Sequence, residues 1–283
     1  MVHPCDFGCA SGYVNGINLP SVGGFEALGE LINMGVNLKE KFYIGQKVHV
    51  CATKILGKWK FWKGVWCDYV ILKKDEIIII PEEVDNDKAM QLFVNVMTPL
   101  AMVKEMNLKK GDIIIQTAAN SVVGRVMIQL SEIHGFKMIN FVRNEEAAVD
   151  LIKKYNIKDV HVYSEERRGK QYLSLLNSLK NKNIKYVIDA VSGDLGLLTW
   201  RLLSRNGTFY SYGALSGYNF LEIDIVNDLC RKNKTLKGWS IQETWLKSKT
   251  DDFKLSMVKE IWHLFKTGPV SYTHLTLPTN REV

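Results

Sequence analysis

The sequence has no apolar run longer than Ile77-Ile78-Ile79-Ile80, far short of the ~20 residues that a membrane-crossing helix needs. Its five cysteines, Cys5, Cys9, Cys51, Cys67 and Cys230, contain no CxxC pair. That pattern speaks against a zinc knuckle and a disulfide framework, and it fits a reducing compartment. The histidines His3, His49, His134, His161, His263 and His274 show no ligand spacing. Blocks of like charge are missing too: 37 basic and 30 acidic residues are spread along the chain, for a net charge of +7. A nucleic-acid role gains little from that distribution, whereas an anionic partner stays open. No internal repeat, low-complexity tract or targeting peptide is visible, and Met1-Val2-His3 leads straight into what reads as mature protein.

What is present is a globular composition, 46% hydrophobic and 24% charged, over 283 residues. That length fits one large domain or two ordinary ones. Residues 1–92 read as β-rich: glycines punctuate short apolar segments, and "QKVHVCA", "VWCDYVIL" and "EIIIIP" have the composition of strands. From 93 to 267 strand-like and helix-like stretches alternate. "DIIIQT", "KMINFV", "DVHVYS", "IKYVIDAV", "GTFYSYG" and "KTLKGWSI" predict six strands, with amphipathic stretches such as "AAVDLIKKYN" between them. This rhythm predicts an α/β fold with a doubly wound parallel sheet. The tail 268–283 has no clear period; a loop and sequence foreign to the native fold are both open readings of it.

The most informative stretch is "DIIIQTAANSVVGRVMIQL", Asp112 to Leu130. A β-rich run, a turn and a helical run in that order build a corner whose first helix amides face an anion, aided by the macrodipole. Gly124 supplies the missing side chain where helix and strand pack closely. Val126, Met127, Leu130 and Ile133 predict the buried face, and Gly135 the helix end. The next strand ends in Arg143, where an NAD-binding corner would place a carboxylate. A guanidinium there suits the extra 2′-phosphate of NADP.

Taken together, these residues resemble the zinc-independent medium-chain dehydrogenases/reductases, and within them the mitochondrial 2-enoyl thioester reductases. The family corner Q-N-A-S-N-S-G-V-G, with a following strand that ends I-N-x-V-R, is matched at Gln116, Ala118, Asn120, Ser121, Val123, Gly124 and Arg143. Asn120-Ser121 in place of further glycines is a feature of that subfamily. "GYVNGINLPSVGGFEALGE" is similar to N-Y-G-x-x-P-x-L-P-A-V-G-G-N-E-G-V, "FVNVMTPLAM" to G-V-N-P-x-T-A-Y, "YSYGALSG" to T-Y-G-G-M, and "LKGWSIQETW" to R-G-F-W-L-S-Q-W. The likeness runs from about residue 3 to 267. Departures are Val122 for the corner glycine, which crowds the pyrophosphate approach, Thr117 and Ala119 nearby, and Val96 and Pro99 in the N-P-x-T-A segment.

The resemblance implies a GroES-like catalytic domain over 1–92, incomplete at both ends, and a Rossmann NADPH-binding domain over 93–267. It implies NADPH-dependent reduction of trans-2-enoyl thioesters, carried by coenzyme A or acyl carrier protein, in a homodimer of the mitochondrial matrix. Tyr13 occupies the catalytic tyrosine position. Asn95, Thr98, Asn120, Ser121, Val122, Val123, Gly124, Arg143, Tyr212 and Gly213 fall at cofactor positions. For Asn95 and Thr98, helix capping is an equal alternative. Trp239 and Trp245 are candidates for an acyl pocket, with core packing as the other reading, and Glu26 reads as structural. Zinc-dependent relatives carry G-H-E where this chain has Gly24-Phe25-Glu26, so no metal is expected. A quinone or enone reductase of the same superfamily, and a non-catalytic NADPH-binding protein, are the competing functions.

Overall fold

The computed structural model describes residues 2–12, 20–51, 64–164, 168–217, 222–268 and 270. Strands β1 (Glu26–Glu30), β2 (Lys47–Cys51) and β3 (Ile77–Ile79) form an antiparallel sheet in that spatial order. Val48 and Val50 of β2 bury one face with Val65. Because side chains alternate along a strand, His49 between them faces the other way, toward Glu26. The expected strand in "VWCDYVIL" is not formed. Val65 and Trp66 donate backbone bonds to Gly24 and Gly23, but beyond them Tyr69 and Ile71 are exposed. A β-rich composition makes a strand only where a ladder partner exists, and no described strand pairs with 67–72.

The second sheet is parallel throughout and contains β4 (Ile113–Gln116), β5 (Lys137–Val142), β6 (Val160–Val162), β7 (Ile184–Asp189), β8 (Thr208–Ser211) and β9 (Thr235–Gly238). Its order is β6-β5-β4-β7-β8-β9, so the chain winds outward from the centre and then outward again on the other side. The direction reverses between β4 and β7, and ligands of such sheets bind at that switch point, beyond the carboxyl ends of the strands. Successive residues of β4 feed opposite faces. Ile114 joins a core with Met127, Leu130, Met257 and Ile261; Ile115 joins one with Leu198, Trp200 and Phe209.

The helices are α1 (Pro4–Ala10), α2 (Asn86–Ala89), α3 (Thr98–Met106), α4 (Val122–His134), α5 (Glu145–Tyr155), α6 (Arg168–Leu179), α7 (Gly193–Leu202) and α8 (Asp251–Thr267), with a π-helical turn at Leu92–Met97. α4 ends at Gly135 in the left-handed region (φ 73°), as its sequence predicts. Its buried face needs one correction: Val126, Met127 and Leu130 are buried, but Ile133 is 45% exposed. Ile133 lies in the last turn of α4, beyond the residues of that helix that join the core. Ile128 is buried instead, because a second face of α4 packs on Ala148 and Leu151 of α5. Helix α1 escaped the sequence pattern because seven residues are too few for a periodic signal. It is fixed by Pro4 in its first turn and by Asp6, whose Oδ2 accepts from His3 N at 2.6 Å.

Candidate active site

The corner after β4 is a turn held by side chains. Ala118 adopts φ 49°, a left-handed conformation that favours glycine. Its strain is offset by fixed neighbours: Ala119 N donates to Phe141 O at 3.0 Å, and Ser121 N donates to Ala118 O at 2.9 Å. Ser121 caps α4, its Oγ accepting from Gly124 N at 3.1 Å. The amides of Val122 and Val123 lie in the first turn, where a helix has no carbonyl of its own to receive them, so they can serve an anion. Arg125, paired with Asp150 at 2.7 Å, donates from Nε to the Asn120 carbonyl at 2.9 Å. Below the turn, Gln116 Nε2 donates to Asn140 Oδ1 at 2.7 Å and to Gly124 O at 3.1 Å. Val122 leans part of its side chain on the core.

Gly124 leaves no room for a side chain, since a Cβ built there would lie 2.5 Å from Ala119 O and 2.8 Å from Ala118 O. Both atoms are backbone and cannot swing aside. Gly124→Ala is therefore expected to lower stability by about 1–3 kcal/mol and to weaken dinucleotide binding with it. Thermal unfolding and a cofactor titration check both parts; an unchanged melting point would show that the corner yields freely.

At the end of β5, Arg143 is exposed and makes no ion pair or hydrogen bond with a described residue. Asn144 beside it caps α5, its Oδ1 accepting from Ala147 N at 2.9 Å, so the backbone that presents the guanidinium is fixed. Across the switch point, Thr117 Oγ1 donates to Asp189 Oδ1 at 2.7 Å and accepts from Ala190 N at 2.9 Å. Burial pushes the Asp189 carboxyl up, against the opposing pull of bonds from Thr117 and the amides of Val191 and Ser192. Tyr212 N donates to Asp189 O, and burial followed by the Asp189 charge pushes the Tyr212 phenol up. Gly213 lies so close that a Cβ would meet Ala190 O at 2.9 Å. The fold thus brings Asn120, Ser121, Val122, Val123, Gly124, Tyr212 and Gly213 to the carboxyl ends of β4 and β8, the two strands that flank β7.

Asn95 and Thr98 are buried at the junction of the π-helical turn and α3, both of which pack on α4. The Asn95 amide donates to Gln91 Oε1. Sequence reasoning missed what surrounds this turn. Glu26, fully buried, is placed by the fold between His3 and His49, with Nε2 of each 2.8 Å from one carboxylate oxygen. Phe25, where zinc-dependent relatives have histidine, is stacked on Phe93 at 6.1 Å. Among the described residues no group of three His, Cys, Asp or Glu side chains is arranged to hold a metal.

Tyr13 lies outside the described residues. Trp239 and Trp245 are 5% and 3% exposed and sit in the core, Trp245 edge-on to Phe253 at 5.6 Å. Trp245 also lines a cavity of about 460 Å³ with Val103, Leu108, Lys249 and Phe253, on the far end of α3 from Thr98.

No family model matches the chain. The mitochondrial enoyl-[acyl-carrier-protein] reductase of Caenorhabditis elegans is 29% identical over 277 residues, covering 95% of this chain and 75% of that protein. Among solved structures, the mitochondrial 2-enoyl thioester reductase heterodimer of Candida tropicalis superimposes with a TM-score of 0.79 at 18% identity, covering 96% of this chain and 79% of that one. The two-sheet architecture and these likenesses agree. The fold is that of the medium-chain dehydrogenases/reductases. Within that fold the Escherichia coli quinone oxidoreductase complexed with NADPH matches nearly as well, with a TM-score of 0.77 at 20% identity over 95% of this chain and 78% of that one. Backbone shape therefore does not separate enoyl from quinone reductases.

Proposed function

We propose that this chain is an NADPH-dependent trans-2-enoyl thioester reductase of mitochondrial fatty acid synthesis. The observation that carries the reading is the likeness to a mitochondrial enoyl-[acyl-carrier-protein] reductase along 95% of the chain. The corner suits the cofactor in two ways: the first-turn amides of α4, which Gly124 lets close on the turn, suit a pyrophosphate, and Arg143, with no ion pair among the described residues, suits a 2′-phosphate. NADPH, when bound, supplies a hydride to the β carbon of the enoyl thioester. The chain's own part is to orient and to handle the proton. Asn95 and Thr98 hold the nicotinamide half. Tyr13 donates a hydrogen bond to the thioester oxygen as negative charge grows there, and supports protonation at the α carbon. Residues 1–92 form the substrate unit and 93–267 the cofactor unit, with acyl carrier protein as a carrier that the net charge of +7 favours. The place of work is the mitochondrial matrix.

The test is NADPH oxidation with a 2-enoyl coenzyme A and, separately, with a quinone. Turnover of the enoyl thioester is expected. Turnover of the quinone alone would favour the other reductase class, and tight NADPH binding with neither substrate reduced would favour a binding role. Activity is expected to survive chelators, since Phe25 fills the ligand position with an apolar ring.

A homodimer is part of the same proposal. β9 is a sheet edge, and Leu236 on it is 40% exposed, with Ile225 and Val226 exposed at 66% and 55%. An edge with no pairing partner among the described residues, beside apolar side chains, suits pairing with the same edge of a second copy. Sedimentation at micromolar concentration is expected to give a dimer, and Leu236→Asp to shift it toward monomer; a wild-type monomer would remove this part.

A further inference from the structure

The Glu26 carboxylate is surrounded on all sides. Oε1 lies 2.8 Å from His3 Nε2 and accepts from Val94 N at 3.3 Å; Oε2 accepts from His49 Nε2 at 2.8 Å and from Phe93 N at 3.1 Å. Oε2 thus accepts from one imidazole and one backbone amide, and Oε1 from one backbone amide with the His3 ring beside it as a close ion-pair partner. The two amides belong to the first residues of the π-helical turn Leu92–Met97, where a helix has amides without internal partners. The negative charge also lies at the favourable end of the turn's dipole. The turn carries Asn95, continues into α3 at Thr98, and packs with α3 on α4, the helix that opens the dinucleotide corner.

We propose that Glu26 is a positioning residue of the cofactor site: it caps the turn Leu92–Met97 and so fixes Asn95 and Thr98 relative to α4. The inference rests on the NADPH reading above. His3 and His49 hold the carboxylate in place. Burial would push Glu26 up, but the bonds from His3 and then His49 outweigh it and bring it down to about 2. Among the described residues, the other titratable groups close to the cluster are Asp6, Cys5 and Cys9 on α1 and Cys51, opposite Glu26 on β2; the turn itself contributes none. An ion cluster with no access to water is an expensive way to fill a core, and apolar residues of equal volume often stabilise more. Its benefit here is direction, since a carboxylate with four fixed neighbours permits one orientation of the turn.

The test uses the full chain as wild type, Glu26→Gln, Glu26→Asp, Asn95→Ala and the double variant Glu26→Gln/Asn95→Ala. NADPH affinity is read by fluorescence titration, and exchange protection is read at the Phe93 and Val94 amides. Glu26→Gln and Glu26→Asp are expected to weaken NADPH binding about tenfold or more and to release both amides to faster exchange. The double variant is expected to bind no more weakly than Asn95→Ala alone within about twofold, because Glu26 acts through that residue. A purely structural Glu26 would lower the melting point and leave affinity untouched, and that result would overturn the proposal. So would an Asn95→Ala variant with wild-type affinity, whether or not the Glu26 variants fold. A wild type that fails to bind NADPH sinks the cofactor reading instead, which separates the two failures.

Discussion

Tyr13→Phe is expected to lower the rate of enoyl thioester reduction by roughly a hundredfold to a thousandfold while NADPH affinity stays near that of the wild type. The substitution removes one hydroxyl and keeps the ring, so packing is preserved. On the proposed role, what is lost is a hydrogen bond that strengthens as charge develops on the thioester oxygen, and the loss of such a donor commonly costs about 2.7–4 kcal/mol. The effect should fall on kcat and on kcat/KM alike, because the contact belongs to the transition state rather than to ground-state binding. Tyr13 stands six residues before Leu19-Pro20 in a segment followed by Gly23-Gly24-Phe25-Glu26, the spacing of the enoyl reductase pattern. A Phe variant with wild-type turnover would reduce Tyr13 to a packing residue and leave the proton step without an owner in this chain.

The second large effect is expected at Arg143. The side chain is exposed, without a hydrogen-bond or ion-pair partner among the described residues, on a backbone fixed by the Asn144 cap. A guanidinium that meets a phosphate makes charge-assisted hydrogen bonds contributing about 1.5–3 kcal/mol, or roughly a 10- to 150-fold preference for NADPH over NADH. Arg143→Glu replaces attraction with repulsion toward the 2′-phosphate and supplies an acceptor for the free ribose hydroxyls of NADH, so the preference is expected to fall at least to parity. Stability should change little, since no ion pair or hydrogen bond of Arg143 with a described residue is lost. Paired titrations with NADPH and NADH decide it; equal affinities in the wild type would mean that Arg143 is only a surface charge.

Much of this site could be read directly from the sequence, because its parts are close in the chain. Strand, turn and helix from Asp112 to Gly135 form one local unit, and the single obligatory glycine announces itself by chemistry: any Cβ at Gly124 meets backbone. The sequence left two things unresolved. Ile133 fits the helical period of α4 yet stays exposed, since periodicity reports a face and not what lies opposite it. "VWCDYVIL" has strand composition without a ladder, since pairing is a property of two segments.

The sequence by itself determined the α/β organisation, the six parallel strands, the strand-turn-helix corner and the charge at Arg143, because hydrophobic period, turn chemistry and ionisation are local. Only the tertiary structure decided which histidines matter and where the aromatic candidates lie. His49 reaches Glu26 from 23 residues away and the Phe93 amide from 67, and no spacing rule connects them until β1, β2 and the turn at Leu92 are packed together. Trp239 and Trp245 read equally as pocket walls or core; packing buries both indoles, and Trp245 lines a cavity as well. Burial and long-range hydrogen bonding depend on what the remainder of the chain places around a residue, and that is settled only when the chain has folded.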